Sequence, residues 1–167
     1  PTTMIGAHYK GNYLETIYNH LFWGPRPASY LILTFVSFFL LLLAMGINVR
    51  LSIVGALAFG LCAYNFQILQ VGHNSKMVAI ALMPMVLAGV VYAYRKKAFL
   101  GAVLFGFALS FEIAANHPQI TFYLGMIILA YVIAQLVSAI KNKTLPAFIK
   151  TSCFVLLATI LAAGTNV

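Results

Sequence analysis

Six long apolar runs dominate the chain and limit what it can fold into. They cover residues 28–46, 51–71, 77–94, 98–115, 120–140 and 151–167. Each is close to the roughly 20 residues that a helix needs to cross a bilayer core of about 30 Å. Backbone groups in lipid must be hydrogen-bonded within the segment, so each run is predicted to be a helix. Barrel strands would be about half as long and would alternate in polarity.

Composition places the chain in lipid rather than in water. It is 63% hydrophobic and 7% charged, against about 45–50% and about 25% for a soluble domain. The runs are joined by short connections, so consecutive helices must be antiparallel. The predicted fold is an all-α integral membrane protein whose bundle, residues 28–167, has about six transmembrane helices in up-down order.

The net charge of +8 does not indicate a nucleic-acid partner. The ten Lys and Arg residues are spread thinly, without an arginine-rich run or a basic helix with interleaved aromatic residues. They are interpreted as topology signals that flank the spans. Cys62 and Cys153 lie inside apolar runs and have no metal-ligand spacing, so no metal site is predicted.

Residues 1–27 are predicted to be an outer loop with an interfacial helix over 11–23. In this segment Tyr13, Ile17 and Leu21 recur at helical spacing, and Trp23 suits the headgroup region. The chain starts without an initiator Met and stops within an apolar run. We therefore expect it to be a piece of a longer polytopic protein, with further transmembrane helices as partners.

Alternating connections assign the polar residues to two faces. The first face receives seven cationic residues, which are Arg50, Arg95, Lys96, Lys97, Lys141, Lys143 and Lys150. The second receives three, which are Lys10, Arg26 and Lys76. Because cytoplasmic loops are enriched in Lys and Arg, the first face is predicted to be cytoplasmic. The second face also carries all four histidines and both carboxylates, Glu15 and Glu112, so function is expected on the outer side.

The first candidate constellation is the turn at residues 72–76. His73 and Lys76 are three residues apart and can share a helical face, with Asn74 between them. An imidazole beside an ammonium group can act as a base, or the lysine can hold a phosphate. The alternative is an ordinary polar turn with a lysine that extends its charge towards water.

The second constellation covers residues 112–119. Glu112 lies within an apolar run, where an ionisable group is costly and normally faces the bundle or a cavity. Asn116 is four residues later on the same face, followed by His117 and Gln119. The alternative is a structural glutamate that is hydrogen-bonded to a neighbouring helix. A third candidate, His8 with Lys10, either roofs a site or belongs to an ordinary outer loop.

Three segments of the sequence resemble motifs of the YfhO-like family of bacterial integral membrane proteins. They are an opening Pro-Thr-Thr-Met-Ile, Gly-His-Asn-Ser-Lys at 72–76 before a helix with Pro84, and Asn-His-Pro-Gln-Ile-Thr-Phe-Tyr at 116–123. The resemblance extends over essentially the whole chain. That family is similar to the GT-C glycosyltransferases, which transfer a sugar from a polyprenyl-phosphate carrier outside the membrane.

The resemblance implies a GT-C-like fold in the bacterial inner membrane with a periplasmic active face. It implies a polyprenyl-phosphate-sugar donor, but it does not establish the role of each residue. On the glycosyltransferase hypothesis, the catalytic group is His73, Glu112 and His117, and the substrate or lipid-phosphate contacts come from Lys76, Asn74, Asn116, Gln119, His8 and Lys10. GT-C enzymes carry an acidic residue, usually Asp, early in the first outer loop, and this chain contains no Asp. The fragment is therefore expected to be inactive alone. The alternatives are a proton-coupled transporter or flippase that uses Glu112, and a non-catalytic subunit of a membrane complex.

Overall fold

The computed structural model describes residues 27–166, and their regular structure is entirely α-helical. The seven helices of this region are α1 (Ala28–Ala44), α2 (Val49–Gly60), α3 (Ala63–Val71), α4 (Asn74–Arg95), α5 (Ala98–Ala114), α6 (Pro118–Lys141) and α7 (Leu145–Gly164). The predicted interfacial helix at 11–23, with His8 and Lys10, lies outside the described residues.

Local sequence signals explain several helix boundaries. The side chain of Asn48 accepts a hydrogen bond from the Leu51 backbone N–H at 2.9 Å and so caps the start of α2. Gly72 ends α3 with a left-handed φ of 79°, which a residue with a Cβ adopts at a cost. Pro118 occupies the first turn of α6, where a missing N–H is harmless.

The apolar helices are those of an integral membrane protein. Helices α4, α6 and α7 are long and apolar enough to cross a bilayer, and α2 with α3 forms a fourth candidate if the bent pair is one span. Almost none of the apolar residues of α6 are buried within the bundle, and water would be a poor solvent for that surface. The described part of the chain therefore contains three to four candidate spans, where the sequence predicted about six.

The two remaining apolar helices fall short of the length criterion. Helices α1 and α5 have 17 residues each, or about 26 Å at ~1.5 Å per residue. A bilayer core is about 30 Å thick. The apolar runs predicted at 28–46 and 98–115 are thus confirmed as helices, but their assignment as full spans stays a prediction.

The second predicted span is not one helix. The run 51–71 is divided after Gly60 into α2 and α3, which are bent by 41° relative to each other. Asn65 fills this break with a side chain that is only 1% exposed. Its amide donates hydrogen bonds to the backbone oxygens of Phe59 at 2.9 Å and Gly60 at 3.2 Å. The prediction of a continuous helix was wrong because apolar composition does not reveal where a side chain competes for helical carbonyls.

Helix α4 forms the centre of the bundle. It packs mainly between α1 and α5, while α2 packs on α1 and α7 packs on α5. Close contacts of Gly89 with Phe105 and of Gly101 with Ala93 show that α4 and α5 are antiparallel. Helices α5 and α7 are parallel, since Phe99 contacts Phe154 near one end and Ser110 contacts Asn166 near the other. The chain direction therefore alternates, although helices that follow each other in sequence are not always packed together.

The connections gather at two ends of the bundle. The histidine end, defined here by the turns at 72–76 and 116–119, is held by a core in which Tyr30, Met77 and Ile120 pack together. The lysine end is defined by the turns at 45–48, 95–97 and 142–144. There the guanidinium of Arg95 donates a hydrogen bond to the Met45 carbonyl at 2.9 Å. The cationic and histidine-bearing turns are thus separated in space, as the alternation of spans predicted.

Candidate functional site

The buried carboxylate of Glu112 is the central feature of the histidine end. Its side chain is fully buried in the last turn of α5. One carboxylate oxygen, Oε1, accepts a hydrogen bond from the Thr121 hydroxyl at 3.1 Å. Thr121 belongs to the first turn of α6, so this bond joins two consecutive helices. This is the inter-helix hydrogen bond expected of a structural glutamate. It pairs one of the two carboxylate oxygens.

Two buried polar atoms near this bond have no protein partner. Among residues 27–166, Glu112 Oε2 and His117 Nδ1 are buried and form no hydrogen bond. Buried polar atoms are normally paired, because an unpaired one loses its hydration without compensation. The two atoms therefore retain the capacity to bind a proton or a polar group at this point.

A cleft of about 330 Å³ lies at the α5–α6 turn and is lined in part by His117. It is lined by residues of the α5–α6 turn and the start of α6, which are Ile113, Asn116, His117, Pro118, Thr121 and Phe122. Thr121, whose hydroxyl donates to Glu112, thus also lines the cleft. Asn116, His117 and Thr121 are the lining residues with polar side chains.

The local sequence Asn-His-Pro explains how His117 is placed. Asn116 has a φ of 54°, a left-handed conformation that Asn tolerates better than most residues. His117 precedes a proline and is therefore kept out of the α region, with φ −128° and ψ 76°. These two restrictions form a tight turn between α5 and α6 and set the position of the imidazole at its apex.

Gln119 does not join this cleft. Its side-chain amide donates a hydrogen bond to the Tyr123 hydroxyl at 3.2 Å, and both residues are exposed on α6. Their spacing of four residues puts them on one helix face. The substrate-binding role predicted for Gln119 has no support in this geometry.

The turn at 72–76 is a separate feature of the same end. His73 occupies the N-cap position of α4 but its side chain makes no capping hydrogen bond, and both His73 and Asn74 are exposed. The Lys76 ammonium lies 5.4 Å from the centroid of the Tyr64 ring on α3, which is a cation–π distance. Lys76 therefore connects α3 to α4.

The two constellations share an end of the bundle without a described contact. Met77 and Ile120, which follow them in sequence, lie in one core cluster. No hydrogen bond between the two turns is found within the described region. A search of the same region finds no group of three His, Cys, Asp or Glu residues that could hold a metal. The Thr121 hydroxyl lies within hydrogen-bond distance of Glu112 and of the His117 carbonyl, whereas Asn116 is exposed beyond the end of α5 and does not share a helix face with Glu112. The functional roles of Glu112, Asn116 and His117, and the inclusion of His73 and Lys76, stay predictions.

Thr121 and Asn65 were missed by the sequence analysis. Thr121 is four residues after His117 and thus one turn along the same helix face, which was an available signal. Asn65 is a polar residue within an apolar run, and such residues in a membrane segment deserve a functional or structural explanation. Neither pairing, with Glu112 or with the carbonyls of α2, follows from sequence spacing.

Comparisons of the chain with protein families, curated proteins and solved structures found no match. The fold and the site define the chain as an all-α membrane protein with a buried, half-paired carboxylate at one end of its bundle. Its kinship with the YfhO-like family and with GT-C enzymes stays a prediction from motifs.

Proposed function

We propose that this chain is part of a GT-C-like membrane glycosyltransferase of the bacterial inner membrane, with its cleft on the periplasmic side. The observation that supports this is the buried Glu112, whose Oε2 has no hydrogen-bond partner and whose bonded neighbour Thr121 lines an open cleft together with His117. A carboxylate that is fixed by one hydrogen bond and free at its other oxygen is suited to accept a proton from a bound hydroxyl. The substrate class, a polyprenyl-phosphate-linked sugar, is proposed from the resemblance of the same turn to YfhO-like motifs.

In the proposed reaction, Glu112 takes the proton of the acceptor hydroxyl. The acceptor oxygen forms a bond to the anomeric carbon of the sugar, and the bond from that carbon to the phosphate oxygen breaks. The polyprenyl phosphate leaves with the electron pair and carries the additional negative charge. His117 hydrogen-bonds the acceptor, and Lys76 with Lys10 stabilises the phosphate.

The proposal includes about six spans. Helices α1 and α5 extend between the same two ends as α4, because they flank it along its length and the Arg95–Met45 bond joins α1 and α4 at the lysine end. A shortfall of a few ångströms is accommodated by local thinning of the bilayer at modest cost. This supports counting the shorter helices as spans in the membrane.

The test is sugar transfer by the intact protein from a polyprenyl-phosphate-linked sugar, measured for wild type and for Glu112→Gln and His117→Ala. Loss of a positioned acid or base typically costs at least about 100-fold in rate, and we expect such a loss for Glu112→Gln. Gln119→Ala is the control, since that side chain lies in the same turn but outside the cleft. Full turnover by Glu112→Gln would exclude the proposed base.

A second candidate, a proton-coupled transporter or flippase, is favoured by the broken span. Discontinuous helices and intramembrane carboxylates recur in transporters, and here α2 and α3 are separated by a 41° bend. In proteoliposomes this candidate predicts substrate movement that depends on a proton gradient and is abolished by Glu112→Gln. Sugar transfer without any gradient dependence would favour the enzyme.

A further inference from the structure

An apolar groove lies between α1, α4 and α5 and opens near the lysine end. Its volume is about 420 Å³. Leu40 of α1 and Phe107 of α5 form parts of its walls and are 40% and 62% exposed. Ala88 and Gly89 of α4 also line it. The groove is thus open to the surroundings of the bundle.

The length of the groove matches one leaflet of a membrane. Met85 and Lys96 both line it, and they are eleven residues apart in the chain. At ~1.5 Å per residue this spans roughly 16 Å along the axis of α4. Half of a bilayer core of about 30 Å is nearly the same length, so an extended lipid tail can occupy the groove from end to end.

Charge at the groove mouth favours an anionic headgroup. Lys96 is exposed there, between Arg95 and Lys97. Arg95 is held by its hydrogen bond to the Met45 carbonyl, which fixes one positive charge at this end. Within residues 27–166 the one carboxylate is Glu112, buried at the histidine end. The cations therefore have no carboxylate of the described chain to pair with.

We propose that this groove binds an anionic phospholipid, with one acyl chain along α4 and the phosphate at Lys96. Basic pockets between membrane helices recognise such headgroups, and a cation near the surface is worth about fivefold in affinity. The site lies at the opposite end from the Glu112 cleft and takes no part in the proposed sugar transfer. Its test measures lipid binding alone, so either proposal can fail without the other.

The test is native mass spectrometry of the delipidated intact protein, incubated with phosphatidylglycerol or with phosphatidylcholine. The wild type is expected to bind phosphatidylglycerol at least about fivefold more tightly. Lys96→Gln should abolish this preference. Lys97→Gln is the matched control, because it removes the same charge from a neighbouring residue that is not among those lining the groove. Ala44→Phe, which fills the groove, should reduce binding of both lipids.

Three results would overturn the proposal. Equal binding of the two lipids by the wild type would show that the cations do not select a headgroup. Equal losses in Lys96→Gln and Lys97→Gln would assign the preference to diffuse surface charge. Binding of neither lipid would show that a further helix or a second copy of the chain covers the groove. If Ala44→Phe fails to fold, the pair of lysine variants still decides the outcome.

Discussion

At the scale of single residues, Asn65 holds the break in the second apolar run. Its amide reaches two backbone oxygens near the end of α2 while remaining almost completely buried. The last carbonyls of a helix have no partner in the helix itself, and lipid provides none. Asn65 therefore supports a bend at which an apolar residue would take a hydrogen-bond donor away from the Phe59 and Gly60 carbonyls.

We predict that Asn65→Leu destabilises the protein by about 1–3 kcal/mol, the usual cost of buried groups that lose their hydrogen-bond partner. Unfolding in mixed micelles with increasing denaturing detergent would measure the change. Gln67→Leu is the control, because Gln67 is exposed two residues further along α3. Equal stabilities of the two variants would show that Asn65 does not stabilise the break.

Thr121 is the corresponding residue of the cleft, since its hydroxyl donates to Glu112 across the α5–α6 turn. Thr121→Val keeps the shape of the side chain and removes the donor, so Glu112 would lose its one described hydrogen bond. We predict a loss of about 1–3 kcal/mol in stability. Thr159→Val is the control, because its hydroxyl bonds only within α7, and the difference between the two variants in the same assay isolates the Glu112 contact. No difference would contradict the inter-helix role.

At the scale of helices, close packing depends on glycines of α4 and α5. A Cβ at Gly101 would overlap the backbone nitrogen and Cα of Ala93, and one at Gly89 would meet the backbone of Phe105. These positions let the two helix backbones approach closely, as small residues do in membrane bundles. Gly106 of α5 likewise lies close to Ala158 of α7.

We predict opposite effects for two Gly-to-Ala substitutions. Gly101→Ala should cost about 1–3 kcal/mol, because the added methyl group forces α4 and α5 apart. Gly125→Ala on α6 should stabilise by about 0.5–1 kcal/mol, since no heavy atom lies within 4 Å of the new Cβ and alanine favours the helix. Both effects are measured as shifts in unfolding midpoint. A Gly101→Ala protein as stable as wild type would contradict the observed packing.

At the scale of the whole molecule, the separation of the two ends predicts how the protein lies in the membrane. The lysine end carries Arg95, Lys96 and Lys97, while the histidine end carries the candidate cleft. Cytoplasmic loops are enriched in Lys and Arg. The cleft is therefore expected to face away from the cytoplasm.

Cysteine labelling in cells tests this orientation. Cys62 and Cys153 are first replaced by Ser, and a single cysteine is then introduced by Asn74→Cys or by Lys96→Cys. An impermeant maleimide should label the protein in intact cells after Asn74→Cys, and only after permeabilisation for Lys96→Cys. The reverse pattern would place the Glu112 cleft on the cytoplasmic side and would contradict the proposal of a periplasmic enzyme.

Much of the architecture could be predicted, and the site only in part. Each of the six apolar runs contains helix, because composition and run length report directly on the solvent in which a segment is stable. Glu112 and His117 were expected at the same end of the bundle because they are close in sequence, but the four-residue spacing of Glu112 and Asn116 does not give a shared helix face, since α5 ends at Ala114. Thr121 as the partner of Glu112 was not predicted, because that bond depends on how α6 turns back on α5.

The amino-acid sequence alone determined the class of the protein, the helical state of its apolar runs and the separation of cationic turns from histidines. These follow from the free energy of transferring each segment from water to lipid, which depends on the composition of that segment and not on its neighbours. Only the tertiary structure decided where the second run breaks, which of Glu112's oxygens is paired and that α4 packs at the centre. These depend on contacts between residues on different helices, and such contacts exist only once the helices have packed together.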